Sequence, residues 1–278
     1  MPFTKALIDG DILVYRIGFT TQDVDEGIAK WRLDELLERI MHVCEVKESS
    51  IYLTSSDKSN FRFRLFPEYK ANRKDKPKPV HYNYLRDIMV RDYMANMIHG
   101  EEADDALAVA LTDNPQRHVL CSIDKDLDQV PGWHYNFVKE HVYFINELEG
   151  YRNFYYQMLV GDKPTDNIEG CPGIGDVKAT RSLEGCESEE EMLEKVAGHY
   201  LRAYSTPEVA SDRMWLAGQL LWMRRKPNQQ WERPSGEVVS KTKLKEFCEI
   251  GEWSTSTSPE KSSIESLNHS TPTLQILE

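Results

Sequence analysis

Carboxylates crowd the stretch GEEADDALAV, where Glu102, Asp104 and Asp105 immediately precede an apolar run. Like charges held a few ångströms apart do not all stay ionised; either some take up protons or a cation joins them. Acids placed at the ends of apolar segments or in turns recur at Asp9, Asp57, Asp124, Asp126, Asp162 and Asp166, which brings the candidate set to nine. Hard divalent ions such as Mg²⁺ and Mn²⁺ take oxygen ligands, whereas zinc favours His or Cys, and no His-rich spacing accompanies these acids. Nine carboxylates exceed what one Mg²⁺ needs, so two or more ions are implied. Two ions about 4 Å apart activate water and stabilise the leaving oxygen of an in-line phosphoryl displacement, which is nuclease chemistry. Calcium is the rival reading, but no Asp-rich loop ending in Glu is present.

The elements that must position these acids follow from the apolar pattern. KALIDGD reads as a strand running into Asp9, SIYLTSSD as a strand from about Ile51 to Thr54 followed by Asp57, and HVLCSIDKD as a third ending at Asp124 and Asp126. Between them, Leu33, Leu36, Leu37, Ile40 and Cys44 form one helical stripe and Tyr84, Leu85, Ile88 and Met89 another. Strands alternating with helices imply an α/β fold with a mainly parallel sheet, in which ligands sit outside the carboxyl ends of the strands. Three strands each releasing an Asp at that end point to one acidic pocket. After about Asn146 the pattern turns helical, with capping-box spacings at NELE and at SEEE from Ser188. GCPGIG, Gly170 to Gly175, has the character of a turn opening a helix near Gly175, where exposed backbone N–H groups can hold a phosphate. A further amphipathic stretch, about Glu208 to Met223, reads as core. From Ser254 to Glu278 the chain is Ser/Thr-rich with little apolar periodicity, and we read it as a flexible tail.

With 278 residues, 40% hydrophobic content and no long apolar run, the chain is expected to be a soluble globular protein without a membrane span, and cytoplasmic. Its five cysteines lack CxxC spacing and read as free, mostly buried thiols. A net charge of -12 argues against a nucleic-acid partner only if charge is evenly spread, and it is not: Arg62 to Arg91 holds nine Lys and Arg against three acids. A solvated face is the alternative for such a run.

Taken in order, LIDGD, the Phe61 to Lys74 stretch containing PEYKANRK, GEEADDALA, SIDKDLDQV and GDKPTDNIEGCPGIG resemble the 5′-nuclease superfamily of flap endonucleases and 5′→3′ exonucleases, most closely a bacteriophage-type 5′→3′ exonuclease, over about Ala6 to Ala179. The resemblance implies a PIN-like α/β nuclease domain over 1–145, carrying a basic arch or clamp at about 70–97. A helical DNA-binding region with a helix–three-turn–helix unit is implied over 146–253, followed by the tail, 254–278. It also implies that Asp9, Asp57, Glu102, Asp104, Asp105, Asp124 and Asp126, completed by Asp162 and Asp166, hold two or more Mg²⁺ or Mn²⁺ ions. Lys70 would contact the scissile phosphate and Arg73 would help neutralise it, while Tyr69 would stack on a terminal base. Lys74, Lys76 and Lys78 would line the arch, and Gly170, Gly173, Ile174 and Gly175 would hold the duplex backbone, with K⁺ as a candidate ion there. The implied partners are DNA with a 5′ end, flap or single-stranded 5′ end, and RNA/DNA hybrid; if the chain is phage-encoded, the compartment is the host cytoplasm. GDKPTDNI departs from the family in spacing its two aspartates by four rather than three.

Taken singly, Asp9 and Asp57 are equally well read as helix caps or turn residues, and Asp128 as a cap or surface residue. His81, His99 and His118 read as surface or satisfied polar positions, and Tyr15 and Arg16 as lying near the phosphate or packing. Two other functions share these motifs: a ribonuclease H-type enzyme on the same scaffold, and a non-catalytic DNA-binding protein.

Overall fold

The structure, a computed structural model, describes residues 3–74 and 76–232. In chain order, β1 (Lys5–Asp9) runs into α1 (Gly10–Thr20), α2 (Glu26–Val43) leads to β2 (Glu48–Thr54), and α3 (Phe61–Leu65) and α4 (Tyr82–Asp92) precede β3 (Asn96–Ile98). Then come α5 (Ala103–Asp113), β4 (His118–Cys121), β5 (Gly132–Asn136) and β6 (His141–Ile145). Ala6, Leu7 and Ile8 are all buried, so β1 has to be covered on both faces, as a central strand is. The sheet order is β3-β2-β1-β4-β5-β6, parallel throughout except for β6, which is antiparallel to β5.

Side chains alternate across this sheet with the period of two that strands require. Ala6, Ile8, Val119 and Cys121 face Leu33, Leu37 and Ile40 of α2 and Leu85, Ile88 and Met89 of α4. Leu7 and Leu120 face the other way, onto Leu107, Ala108 and Leu111 of α5. The two expected helical stripes are thus the core faces of α2 and α4. Within the stretch expected as an arch, about 70–97, α4 turns Leu85, Ile88 and Met89 into the core and β3 joins the sheet, while the residues before Tyr82 lie mostly on the surface. Arg62 and Arg86, counted with the basic run, are buried.

The second half holds α6 (Glu147–Val160), β7 (Gly161–Asp162), α7 (Lys163–Asp166), β8 (Ile168–Glu169), α8 (Asp176–Leu183), α9 (Glu189–Ala203) and α10 (Pro207–Leu221). Asn146 and Glu149 form the expected capping box at α6. At α9, Ser188 accepts from Glu191 N, but the Glu191 carboxylate accepts from Glu187 N instead of the cap, so half of the box forms. Phe154, Met158, Met192, Val196, Ala210 and Leu220 form a core of their own between these helices. Past α10 the chain doubles back, and Trp231 packs against Gly218 and Phe154. The tail from Ser254 and the end of the expected helical region lie outside the described residues, as does Cys248; the other four cysteines are free and buried.

Candidate active site

Because β1 has β2 on one side and β4 on the other, the chain leaves β1 and β4 in opposite directions, opening a crevice at their carboxyl ends. Asp9 sits there as the N-cap of α1: Oδ1 accepts from Ile12 N at 3.1 Å and Oδ2 from Ser122 Oγ at 2.7 Å. Ser122 Oγ in turn accepts from Asp124 N at 3.0 Å, and Asp124 Oδ1 accepts from Asp126 N at 2.9 Å. The end of β1 and the 3-10 turn Lys125–Gln129 are therefore one hydrogen-bonded unit. Glu102 and Asp104 enter from the N-terminus of α5, where the helix dipole favours negative charge. Asp166 ends α7. With Asp11, these acids line a cleft of about 110 Å³.

Three residues of PEYKANR reach into the same cleft. The Tyr69 hydroxyl lies 2.9 Å from both Glu102 Oε2 and Asp166 Oδ2, so two carboxylates share one phenolic proton. Lys70 Nζ is 2.5 Å from Glu102 Oε1 and 3.6 Å from Asp166 Oδ2, and Arg73 Nη2 donates to Asp166 Oδ1. Lys70 holds a left-handed conformation (φ 57°), turning the chain so that its N–H also donates to Asp166 O. Asn72 Nδ2 bonds the carbonyls of Lys163 and Pro164, Arg73 Nε that of Thr165, and Asn167 Nδ2 that of Glu68. These bonds tie PEYKANR to GDKPTDN as one rigid wall.

Electrostatics divide the acids. Burial, with Asp11 and Asp124 nearby, pushes the Asp9 carboxyl up to about 7 despite the Ser122 hydrogen bond. Burial, then Asp124, Asp162 and Asp166, does the same to Asp126, also to about 7. Asp104 is raised by burial and by Asp9 and Asp124, and Asp124 is raised chiefly by burial. Burial would raise Glu102 too, but Lys70, Arg62 and the Tyr69 hydroxyl hold it down at about 2. Among the described residues no three His, Cys, Asp or Glu side chains stand in a ready-made metal cage. The carboxylates instead take protons or lean on Lys70 and Arg73. An all-oxygen donor set that must bind protons near neutrality is one that a hard divalent cation fits.

Not every expected residue is in the cleft. Asp57 is on the surface, its Oδ1 accepting from Ser59 N and its Oδ2 2.6 Å from His99 Nδ1; the Ser59 side chain, then His99 and the Ser59 N–H, hold its carboxyl below the usual range. The turn after β2 points it outward. Asp105 is fully buried and bound by both Arg62 terminal nitrogens, at 2.5 and 3.0 Å, so its oxygens face the protein interior. Asp162, the N-cap of α7, stands outside the cleft, contributing only its field at Asp126, while the four-residue spacing carries Asp166 inward. Tyr69, 2% exposed, is no free stacking surface. Lys74, Lys76 and Lys78 are exposed, the last with its ammonium 4.0 Å from the Tyr82 ring centre. Gly170 is a packing residue: a Cβ there would lie 2.3 Å from the Val160 carbonyl carbon. Gly173 (φ +76°) and Gly175, the N-cap of α8, have open space beside them, and Ile174 is partly buried against the helical core.

Sequence reasoning passed over Asp11 and Ser122. Asp11 binds Thr54 N at 2.9 Å and Arg86 Nη1 at 2.7 Å, tying α1 to β2 and α4. Its position two residues after Asp9, inside LIDGD, is the signal that could have found it. His81 bonds the Thr21 and Val24 carbonyls and His118 that of Ala110, as satisfied polar groups do.

The described chain has no helix long and apolar enough to cross a membrane. It is similar to a 5′-3′ exonuclease of Buchnera aphidicola subsp. Schizaphis graminum, 28% identical over 202 residues, or 63% of this chain and 69% of that one. DNA polymerase I of Pseudomonas aeruginosa is 29% identical over 154 residues, 48% of this chain but 16% of the polymerase. In fold it is similar to the T5 D15 protein co-crystallised with metal ions (TM-score 0.55, 17% identity, 88% of this chain and 97% of that one). The T5 D15 flap endonuclease in a complex with DNA and metal ions is equally near, at TM-score 0.56, 17% identity and the same coverage. The family model of the 5′-3′ exonuclease N-terminal resolvase-like domain matches residues 4–157, and with more than half of its length matched the chain belongs to that family.

Proposed function

We propose that this protein is a divalent-metal-dependent 5′→3′ exonuclease that hydrolyses phosphodiester bonds from the 5′ ends of duplex DNA, with flap endonuclease activity. The observation that carries this reading is the cleft itself, which gathers Asp9, Glu102, Asp104, Asp124, Asp126 and Asp166 opposite Lys70 and Arg73. The relatives, a 5′-3′ exonuclease and a flap endonuclease, support it. The six acids would hold Mg²⁺ or Mn²⁺, which when bound supply an activated water and stabilise the leaving oxygen. Lys70 and Arg73 would give their hydrogen bonds to the non-bridging oxygens of the scissile phosphate, exchanging carboxylate partners for phosphate as the acids take up metal. Exposed Lys74, Lys76 and Lys78 would meet the strand that enters, and the open backbone at Gly173 and Gly175, with K⁺ a candidate ion, would hold a duplex phosphate. Such contacts follow the backbone, so cleavage would be independent of base sequence and would extend to RNA/DNA hybrid. An enzyme of intact DNA would work in the cytoplasm, that of the host if the gene is a phage's.

The test is a Mg²⁺ time course on blunt and flapped duplexes labelled at the 5′ end, with 3′-labelled twins and EDTA controls. Release of 5′ label as mono- or short oligonucleotides while the twin shortens is expected. Asp126→Ala should lower the rate by at least ~100-fold while DNA is still bound, and full activity in that variant would remove the metal assignment.

A further inference from the structure

Asp126 is not held by its own turn alone. Gln157, buried on α6, donates from Nε2 to Asp126 Oδ1 at 2.5 Å. An amide has two ends, one giving and one accepting, and which end faces the carboxylate has to be decided by what the other end meets. Here the other end, Gln157 Oε1, accepts from Nε2 of buried Gln129. Gln129 Nε2 gives its second proton to the main-chain carbonyl of Leu221, at 3.0 Å. A main-chain carbonyl only accepts, so it sets the orientation of Gln129, which sets that of Gln157 and leaves an N–H, not a carbonyl, aimed at Asp126. Turning either amide over would set oxygen against oxygen. Gln129 Oε1 has no partner, so it does not pull the amide the other way. The backbone that carries the relay is fixed as well: Asn153 Nδ2 donates to Asp128 O at 2.8 Å and Arg225 Nη2 to Gln129 O at 3.0 Å.

We infer that Gln157 is a positioning residue for Asp126, with Gln129 and the Leu221 carbonyl setting its polarity: the relay occupies Oδ1, fixes the plane of the carboxylate and leaves its other oxygen to the cleft. The inference rests on the reading of Asp126 as a metal ligand. Partners that orient a ligating carboxylate typically affect metal affinity 10- to 100-fold. It also links the cleft to the end of α10, because Leu221 is the last residue of that helix, just before the chain turns back.

The test measures Mn²⁺ binding to the full chain from the EPR signal of free ion, with thermal unfolding as the control for fold. Gln157→Met keeps the volume and removes the donor, and we expect a Kd for Mn²⁺ raised at least ~10-fold at one site with little change in Tm. Because the single variant leaves Gln129 facing an apolar group, Q129M/Q157M, which removes both amides of the pair, serves as the second variant and should show the same raised Kd. If folded Q157M or the double variant binds Mn²⁺ as the unaltered chain does, the relay does not position Asp126 and the inference is overturned alone. If the unaltered chain binds no Mn²⁺, the metal reading is overturned and the inference with it.

Discussion

The Asp9 and Asp126 carboxyls, both pushed up to about 7 mainly by burial, make the metal-free protein sensitive to pH in a particular direction. Between an ordinary carboxylate value near 4 and 7, the folded chain keeps protons that the unfolded chain has released. Stability therefore falls as pH rises through that window and levels off above it. Glu102, held at about 2, acts in a different window: its contribution is in place above about 4.5 and is lost as pH falls toward 2. Thermal unfolding in EDTA should accordingly show Tm decreasing by roughly 5 °C or more from pH 5 to pH 7.5. Adding Mg²⁺ or Mn²⁺ should recover most of that loss at pH 7.5 and little at pH 5, where the same carboxyls are protonated. A flat Tm profile in EDTA would contradict the burial of these two groups. At this scale LIDGD, GEEADDALA and SIDKD disclosed most of the acids in the cleft, but Asp57 and Asp105 could not be sorted from it. A carboxylate's type and its place after a strand are the same whether its partner is His99, Arg62 or a metal.

Among the elements, α3, α5 and the return segment after α10 meet at Arg62. Besides Asp105, Arg62 donates from Nε to Leu220 O at 2.8 Å and from Nη2 to Trp222 O at 2.9 Å, while Arg224 Nη1 reaches Glu101 at 2.7 Å. Removing one member of a buried pair leaves the other charged in the interior, which typically costs about 3–5 kcal/mol. Arg62→Met should therefore lower Tm by about 10 °C, and R62M/D105L should regain much of it, which calorimetry can read. A different contrast lies between the two glycines of GCPGIG. Gly170→Ala drives a Cβ into the backbone at Val160, whereas Gly173→Ala meets only open space and the strain of φ +76°. The first should unfold the α6 to α8 connection or cost several kcal/mol, and the second about 1–2 kcal/mol, with weakened duplex binding as its main effect. Equal destabilisation by the two would mean that the turn does not pack as described. The caps at Asn146 and Ser188 and the stripe on α2 were legible beforehand because they are local. The Arg62 junction joins residues 158 positions apart and has no local signature.

Over the whole molecule, a net charge of -12 and an acidic cleft have to be reconciled with a polyanionic substrate. The structure narrows the basic run, since Arg62 and Arg86 are spent inside on Asp105 and Asp11, Arg73 pairs with Asp166 and exposed Arg91 pairs with Asp92. Arg64, Lys74, Lys76 and Lys78 are exposed in that run as well. Each phosphate contact adds roughly 0.9 to the slope of log affinity against log salt. Replacing Lys74, Lys76 and Lys78 together by Ala should then reduce the slope by about 2–3, measured by fluorescence anisotropy with Ca²⁺ in place of Mg²⁺. An unchanged slope would move the DNA path away from this segment.

The α/β class, the strands that lead into Asp9 and Asp124, the helical second half and the motif order that marks the family can all be read along the chain. Each of these is written in short-range periodicity, capping or turn chemistry, which the chain expresses over a few neighbouring residues. Long-range packing alone settles which acids share a cleft, because sheet order places β1 beside β4 and so Asp9 beside Ser122, 113 residues away. It also decided that Arg62 and Arg86 go inside while Lys74, Lys76 and Lys78 stay out. The direction a side chain takes depends on the layer packed against its element, and that layer comes from distant parts of the chain.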